Sequence, residues 1–269
     1  MTTSATTEYA YSEIVYKGLS FWFDGNQKVT SGNGSYEQPA ANAFSLPQVQ
    51  ACPFSTAACR EACYVHNLEV FEPELHAKYV ENFKNISSVL STIVSPTGIH
   101  EGDLIRLFAD YIHTAAAAGF RWHVSGDIFS NRYAAFIRAV ARETPSVRHW
   151  IYTRSFPYLT SLMGAENLTI NLSADCDNYT EARARADRHG LRVCYLTIDG
   201  TVPPDLREGD VIFPDYALRG VGMRPHAYRE GSAFWRSLDG GKRKLVCPVD
   251  VYGKSEAVRC GPCRKCIDR

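Results

Sequence analysis

The sequence has no surplus of either charge: 29 Lys and Arg stand against 29 Asp and Glu, a formal net charge of zero over 269 residues. That balance removes any global attraction to nucleic acid or to an anionic membrane and leaves only a local patch open. No run approaches the eighteen or so apolar residues of a membrane span. Residues Met1 to Glu13 are polar and rich in Thr and Ser. They lack the charged start and apolar stretch of a secretory signal, so a cytoplasmic location is expected. Low-complexity tracts and internal repeats are missing as well. So is an even cysteine count: nine cysteines cannot form a fully paired disulfide framework, and a reducing compartment would not keep one. Hydrophobic residues make up 45% and charged residues 22%, an ordinary globular composition. At this length the chain buries its own core without covalent staples. The cysteines therefore have another use.

Residues 1 to about 50 are rich in Gly, Ser, Asn and Gln, with one apolar stretch at Leu19–Phe23 that reads as a short strand in a loop-rich segment. Helices are expected from Pro73 to about Val94, with Pro at a first-turn position, and from Asp103 to Ala118, with Gly119 as the stop. From Phe120 the pattern alternates. Strand-like runs at Arg121–Ser125, His149–Thr153, Leu168–Leu172 and Arg192–Thr197 are separated by helical segments near Arg132–Arg142, Pro157–Met163 and Thr180–His189. A further strand fits Asp210–Phe213. Such alternation predicts βα units on a parallel sheet. The expected architecture is α/β, a partial (β/α) barrel of parallel strands with an irregular cysteine-rich C-terminal extension. Its expected divisions are 1–44, 45–215 and 216–269.

Parallel βα units gather functional residues at the C-terminal ends of their strands. Those ends carry Ser125-Gly126-Asp127, then Tyr152-Thr153-Arg154, then Asn171, Ser173 and Asp175, then Thr197 and Asp199, and finally Asp215. Either they share a site or they cap the following helices, and one residue can do both. His123, in the first of these strands, points into such a site or away from it.

Two cysteine groups frame this core. Cys260, Cys263 and Cys266 are each separated by two residues, and Cys247 precedes them. Four thiolates suit a four-iron cluster or a tetrahedral zinc. The C-x₂-C-x₂-C spacing is that of ferredoxin cluster loops, which favours iron–sulfur over zinc. The first group, Cys52, Cys59 and Cys63 followed by Tyr64, supplies three thiolates. A cluster held by three leaves one iron open, and an open position separates a reactive metal site from a structural one. His66, Cys176 and Cys194 are possible fourth ligands. Cys194 also reads as a core thiol.

Ser45-Leu46-Pro47, the C-x₆-C-x₃-C-Y stretch, Trp122 to Ser130 (WHVSGDIFS) and the closing C-x₂-C-x₂-C resemble an actinophage family named gene product eighty-eight, over roughly residues 40 to 266. The order of a three-cysteine group, βα units with Ser-Gly-Asp at a strand end, and a cysteine-rich tail also resembles radical S-adenosylmethionine enzymes. That second resemblance implies two four-iron clusters and S-adenosylmethionine as cofactors. It places one cluster on Cys52, Cys59 and Cys63, and an auxiliary cluster on Cys247, Cys260, Cys263 and Cys266. Ser125, Gly126 and Asp127 would meet the cofactor, with Asp127 accepting its ammonium. Arg154, Asn171, Ser173 and Asp175 would face the bound ligands. The spacing of six and three departs from that family's C-x₃-C-x₂-C, and the aromatic Tyr64 follows the third cysteine instead of preceding it.

The expected activity is carbon–sulfur bond cleavage on a substrate the sequence does not identify, with an electron donor of flavodoxin or ferredoxin type. Two rivals stand beside it. In one, the open iron is a Lewis acid in a lyase or transferase. In the other, the cysteines bind zinc in a nucleic-acid-associated or scaffolding module, with Lys242, Arg243, Lys244, Arg259, Arg264, Lys265 and Arg269 against phosphate.

Overall fold

Among the described residues, β-branched and aromatic runs become eight strands of one sheet, lying side by side in the order in which they occur in the sequence. The computed structural model describes residues 11–25, 41–91, 98–116, 119–214, 233–248 and 260–268. The strands are β1 (Tyr11–Tyr16), β2 (Leu19–Asp24), β3 (Ala43–Phe44), β4 (Phe120–Trp122), β5 (His149–Thr153), β6 (Leu168–Ala174), β7 (Arg192–Thr197) and β8 (Val211–Pro214). β1, β2 and β3 pair antiparallel, and every pairing from β3 to β8 is parallel. The sheet is open, with β1 at one end of the order and β8 at the other. Two of these strands, β1 and β3, lie where loop is expected. Their signal is weak because β3 has only two residues and β1 alternates half-buried with exposed positions at an edge.

Strand alternation divides the sheet into two faces. Phe44, Trp122, Ile151, Ile170, Leu172 and Val193 share one face by register and belong to the main core. Helices cover it. In α4 (Glu101–Ala115) the residues Leu104, Phe108 and Ile112 recur every four positions, and in α5 (Asn131–Glu143) Tyr133, Phe136, Ile137 and Val140 do the same at helical spacing. Helix ends on this sheet are set by their own sequence. Ser130 caps α5 by accepting from the Tyr133 N–H, and Gly190 ends α7 (Tyr179–His189) in the left-handed region at φ +65°. Between β5 and β6 lie a short 3₁₀ turn, Phe156–Tyr158, and α6 (Leu159–Leu162).

The other face carries Arg121, Trp150, Tyr152, Thr169, Asn171, Ser173, Arg192 and Cys194. That is a polar set for a sheet interior, and the C-terminal residues 266–268 lie along it. Thr169 Oγ1 donates to the Ile267 carbonyl at 2.6 Å, Asn171 Nδ2 donates to the Cys266 carbonyl at 3.1 Å, and the Arg192 guanidinium donates to the Asp268 carbonyl. Ile267 packs on Trp150. Backbone polar groups of the tail are thereby satisfied by strand side chains, which explains why hydrophilic residues stand in mid-strand here.

Among the described residues no helix is long and apolar enough to cross a membrane.

Candidate functional site

The segment between β3 and α3 (Pro73–Ser91) carries the first three cysteines and lies over the C-terminal ends of β4, β5 and β6. It leaves β3 at Ser45 and turns sharply at Val49, whose φ of +65° is costly for a β-branched residue. The Cys52 N–H donates to the Val49 carbonyl at 3.2 Å, closing that turn. Cys59 sits in the short helix α1 (Ala57–Glu61). The helix ends before Cys63, which lies in the break leading to α2 (Tyr64–Phe71), so Cys59 and Cys63 do not share one helical face.

Hydrogen bonds fasten this segment to the strand ends. The Asp127 N–H donates to the Ala51 carbonyl at 3.1 Å, and Tyr64 Oη donates to the Val124 carbonyl at 2.6 Å. Thr56 Oγ1 accepts from the Cys59 N–H at 2.9 Å and donates to Asp175 Oδ2 at 2.6 Å. The Ala58 N–H donates to Asp177 Oδ2 at 3.0 Å. Asp175, fully buried, also receives Nε and Nη2 of Arg154 at 3.2 and 3.1 Å. Cysteine loop, Arg154 after β5 and Asp175 after β6 thus form one connected network.

Three thiols lie near this network. Cys52 feels the charges of Asp127, Cys59 and Cys63, and Cys59 feels those of Arg154, Cys63, Asp175 and Asp127. Burial pushes both thiols up, the nearby carboxylates add to this, and Arg154 opposes it at Cys59. Metal binding at this position therefore displaces thiol protons. Among the described residues only Asp175, Cys176 and Asp177 form a set of three ligand atoms all within 4.8 Å of one another. The sulfurs of Cys52, Cys59 and Cys63 are accordingly spread wider than the roughly 3.8 Å that tetrahedral bonds of about 2.3 Å to one zinc ion require.

Two of the possible fourth ligands face other partners. His66 Nδ1 lies 3.2 Å from Gln48 Nε2, and Cys176 Sγ lies 3.7 Å from Asp177 Oδ1. Cys194 lies on the tail-covered face of β7, where its thiol and the Tyr152 hydroxyl both hydrogen-bond Cys266. Those bonds hold the Cys266 thiol below the usual range, the Cys194 bond first. Cys260 is charge-coupled to Tyr152 and to Arg121, whose guanidinium stacks 5.2 Å from the Tyr152 ring centre.

The Ser-Gly-Asp stretch is placed at the site with roles more structural than its sequence implies. Strand β4 is shorter than expected because His123 adopts φ +64° and turns the chain out of the sheet. Ser125 Oγ donates to Glu69 Oε1 at 2.5 Å, linking the strand end to α2. Gly126, at φ +83°, approaches Leu46 so closely that a Cβ would stand 2.8 Å from its carbonyl oxygen. Asp127 accepts three bonds: Oδ1 from Thr153 Oγ1 at 2.6 Å and from the Ile128 N–H at 2.7 Å, and Oδ2 from the Arg154 N–H at 2.8 Å. Burial raises its pKa against those bonds. His123 is buried and points away from the cysteines to Tyr133 Oη at 2.8 Å, and desolvation lowers its pKa to about 3, which keeps it neutral.

The remaining expected residues divide. Asn171 is occupied by the tail and belongs with the second cysteine group. Ser173 lies near the end of β6, two residues past Asn171 and two before Asp175, and its carbonyl accepts from Asn178 Nδ2 at 3.4 Å. Thr197 and Asp199 hold the turn after β7, accepting from the N–H groups of Gly200 and Thr201. Asp215 lies outside the described residues, as do Arg259 and Arg269. Of the other basic residues proposed against phosphate, Arg264 pairs with Asp268, Lys265 donates to the Lys244 carbonyl and Arg243 to the Trp235 carbonyl. Thr56, Asp177 and Glu69 were not expected at either site. Only Thr56 had a legible signal, a Thr three residues before a cysteine at a helix start.

A family model described as Gene product 88 matches residues 19–269. No curated protein and no solved structure matches the chain. The matched span takes in both cysteine groups and every strand from β2 onward, and the protein belongs to the gene product 88 family.

Proposed function

We propose that this chain is an iron–sulfur enzyme in which Cys52, Cys59 and Cys63 hold a four-iron cluster with one open iron, and that S-adenosylmethionine is the ligand of that iron. The supporting observation is the fastening of a three-cysteine loop over the C-terminal ends of three parallel strands, with Asp127, Arg154 and Asp175 beneath it. We read the open, sequentially ordered sheet as an incomplete barrel whose strand ends form the floor of the site. The thiolate-only donor set suits iron–sulfur chemistry, and the spread of the three sulfurs favours a cluster over a single zinc ion. When bound, such a centre supplies an electron and an open coordination position for carbon–sulfur bond cleavage, while the protein supplies binding and orientation.

The chain's own residues have separate tasks. Arg154 places a cation beside Cys59 and so offsets the charge of three thiolates. Asp175 holds that guanidinium in place from full burial. Asp127 has one acceptor position left on Oδ2 after its three bonds, enough for one N–H of an ammonium group. Gly126 lets the Ser-Gly-Asp turn press against Leu46, which brings Asp127 under Ala51 and Cys52.

Anaerobic protein incubated with S-adenosylmethionine and a strong reductant should release 5′-deoxyadenosine, and Cys59→Ala should release none. Absence of that product from iron-loaded wild type removes the radical reading and leaves the open iron as a Lewis acid. Undiminished product from Cys59→Ala removes the assignment of the first cluster.

A further inference from the structure

A cysteine in the middle of a parallel strand needs an account when the tail lies over it. Cys194 is on β7, opposite Ser173 of β6 and Val211 of β8, and only 2% of it is exposed. Its side chain is on the face that the C-terminal residues cover, not on the face that the helices cover. Three side chains of that face set the register of the tail: Thr169 on the Ile267 carbonyl, Asn171 on the Cys266 carbonyl and Arg192 on the Asp268 carbonyl. They bring the Cys266 side chain against Cys194, with the Tyr152 hydroxyl also on Cys266 and Cys260 packed at the same cluster.

We propose that Cys194 is a ligand of the C-terminal metal centre and completes a four-thiolate set with Cys260, Cys263 and Cys266. The tail's metal is then bound to the sheet itself, and the extension becomes part of the core instead of an appendage. Four thiolates take a thiophilic centre, and because no three of these sulfurs lie within 4.8 Å of one another, their spread suits a four-iron cluster better than a single zinc ion, as at the first group. Cys247, the fourth ligand that spacing alone suggests, is set elsewhere. Its N–H donates to the Ile212 carbonyl at 2.9 Å beside a parallel bridge of Val246 with Ile212, which makes it an added edge next to β8. That edge is two strand spacings from β7, about 10 Å across the sheet. Asn171 Oδ1, on the neighbouring strand of this same face, is buried with no hydrogen-bond partner.

The inference rests on reading the tail cysteines as metal ligands, but not on any chemistry at the first cysteine group. The test is iron, sulfide and zinc per chain in anaerobically prepared full-length protein. A background of Cys52→Ala, Cys59→Ala and Cys63→Ala leaves the tail's metal as the only load counted. In that background the expected load is about four irons with four sulfides, or about one zinc. Adding Cys194→Ser should reduce it to less than half, while adding Cys247→Ser should leave it unchanged. A full load in the Cys194→Ser protein overturns the assignment of Cys194 and leaves the tail a metal centre. Loss on Cys247→Ser also overturns it, and that variant decides the matter if Cys194→Ser does not fold. A background protein that binds neither iron nor zinc removes the reading of the tail as a metal centre and the Cys194 assignment with it.

Discussion

The Leu46 carbonyl oxygen stands 2.8 Å from where a side chain would begin on Gly126, and the backbone there has φ +83°. Steric overlap and left-handed strain act together at this position, so Gly126→Ala should lower folding stability by about 2–4 kcal/mol. Chemical denaturation measures it, and a change below about 0.5 kcal/mol would mean that the turn is free to relax. Asp24 shows another single-residue effect. Its Oδ2 accepts from Ser45 Oγ at 3.1 Å and Tyr79 Oη at 3.3 Å, its Oδ1 has no partner, and burial raises its pKa from 3.8 to about 6. The folded state therefore holds this proton more tightly than the unfolded chain. The stability it contributes is complete below pH 4 and is lost as pH rises through about 6. Asp24→Asn should thus be increasingly more stable than wild type between pH 4 and pH 7, by on the order of 2–3 kcal/mol in total. Parallel stability profiles for the two proteins across that range would contradict the burial of a titrating carboxylate.

At the scale of elements, the cysteine loop is anchored by bonds that come from distant strands. Thr56 joins the start of α1 to Asp175 of the third strand end, 119 residues away. Thr56→Val removes a helix cap worth about 1 kcal/mol and leaves the buried Asp175 carboxylate one donor short. The expected result is faster amide exchange across residues 52–63 with unchanged exchange in α5, read by hydrogen–deuterium exchange. Equal exchange in the two proteins would mean that the loop is held by other contacts. Helices α3 to α7 and strands β5 to β7 were legible because each carries its own period: Leu104, Phe108 and Ile112 in α4, and the apolar runs at His149–Thr153 and Arg192–Thr197; the short helices α1 and α2 were not. The end of β4 was not legible. A left-handed His123 stops the strand after Trp122, and nothing local in the HVS stretch announces it. β1 and β3 were missed because an edge hairpin and a two-residue strand have too few positions to show alternation.

For the molecule as a whole, the sequence spacing announced two cysteine groups but not where they lie relative to the sheet. One crosses the strand ends, and the tail of the other lies along a face of the sheet through Thr169, Asn171 and Arg192. Polar residues in mid-strand looked like ligand contacts from the sequence, whereas Asn171 is used to receive the chain's own C-terminus. Pairings of this kind depend on segments nearly a hundred residues apart, which no local pattern encodes. The central claim concerns the first group, and the metal content of the anaerobic protein tests it most directly. Wild type should be brown with about eight irons and eight sulfides per chain, falling to about four of each when Cys52, Cys59 and Cys63 are all replaced by Ala. Colourless wild type carrying stoichiometric zinc, or an iron content that the triple substitution leaves unchanged, would contradict it.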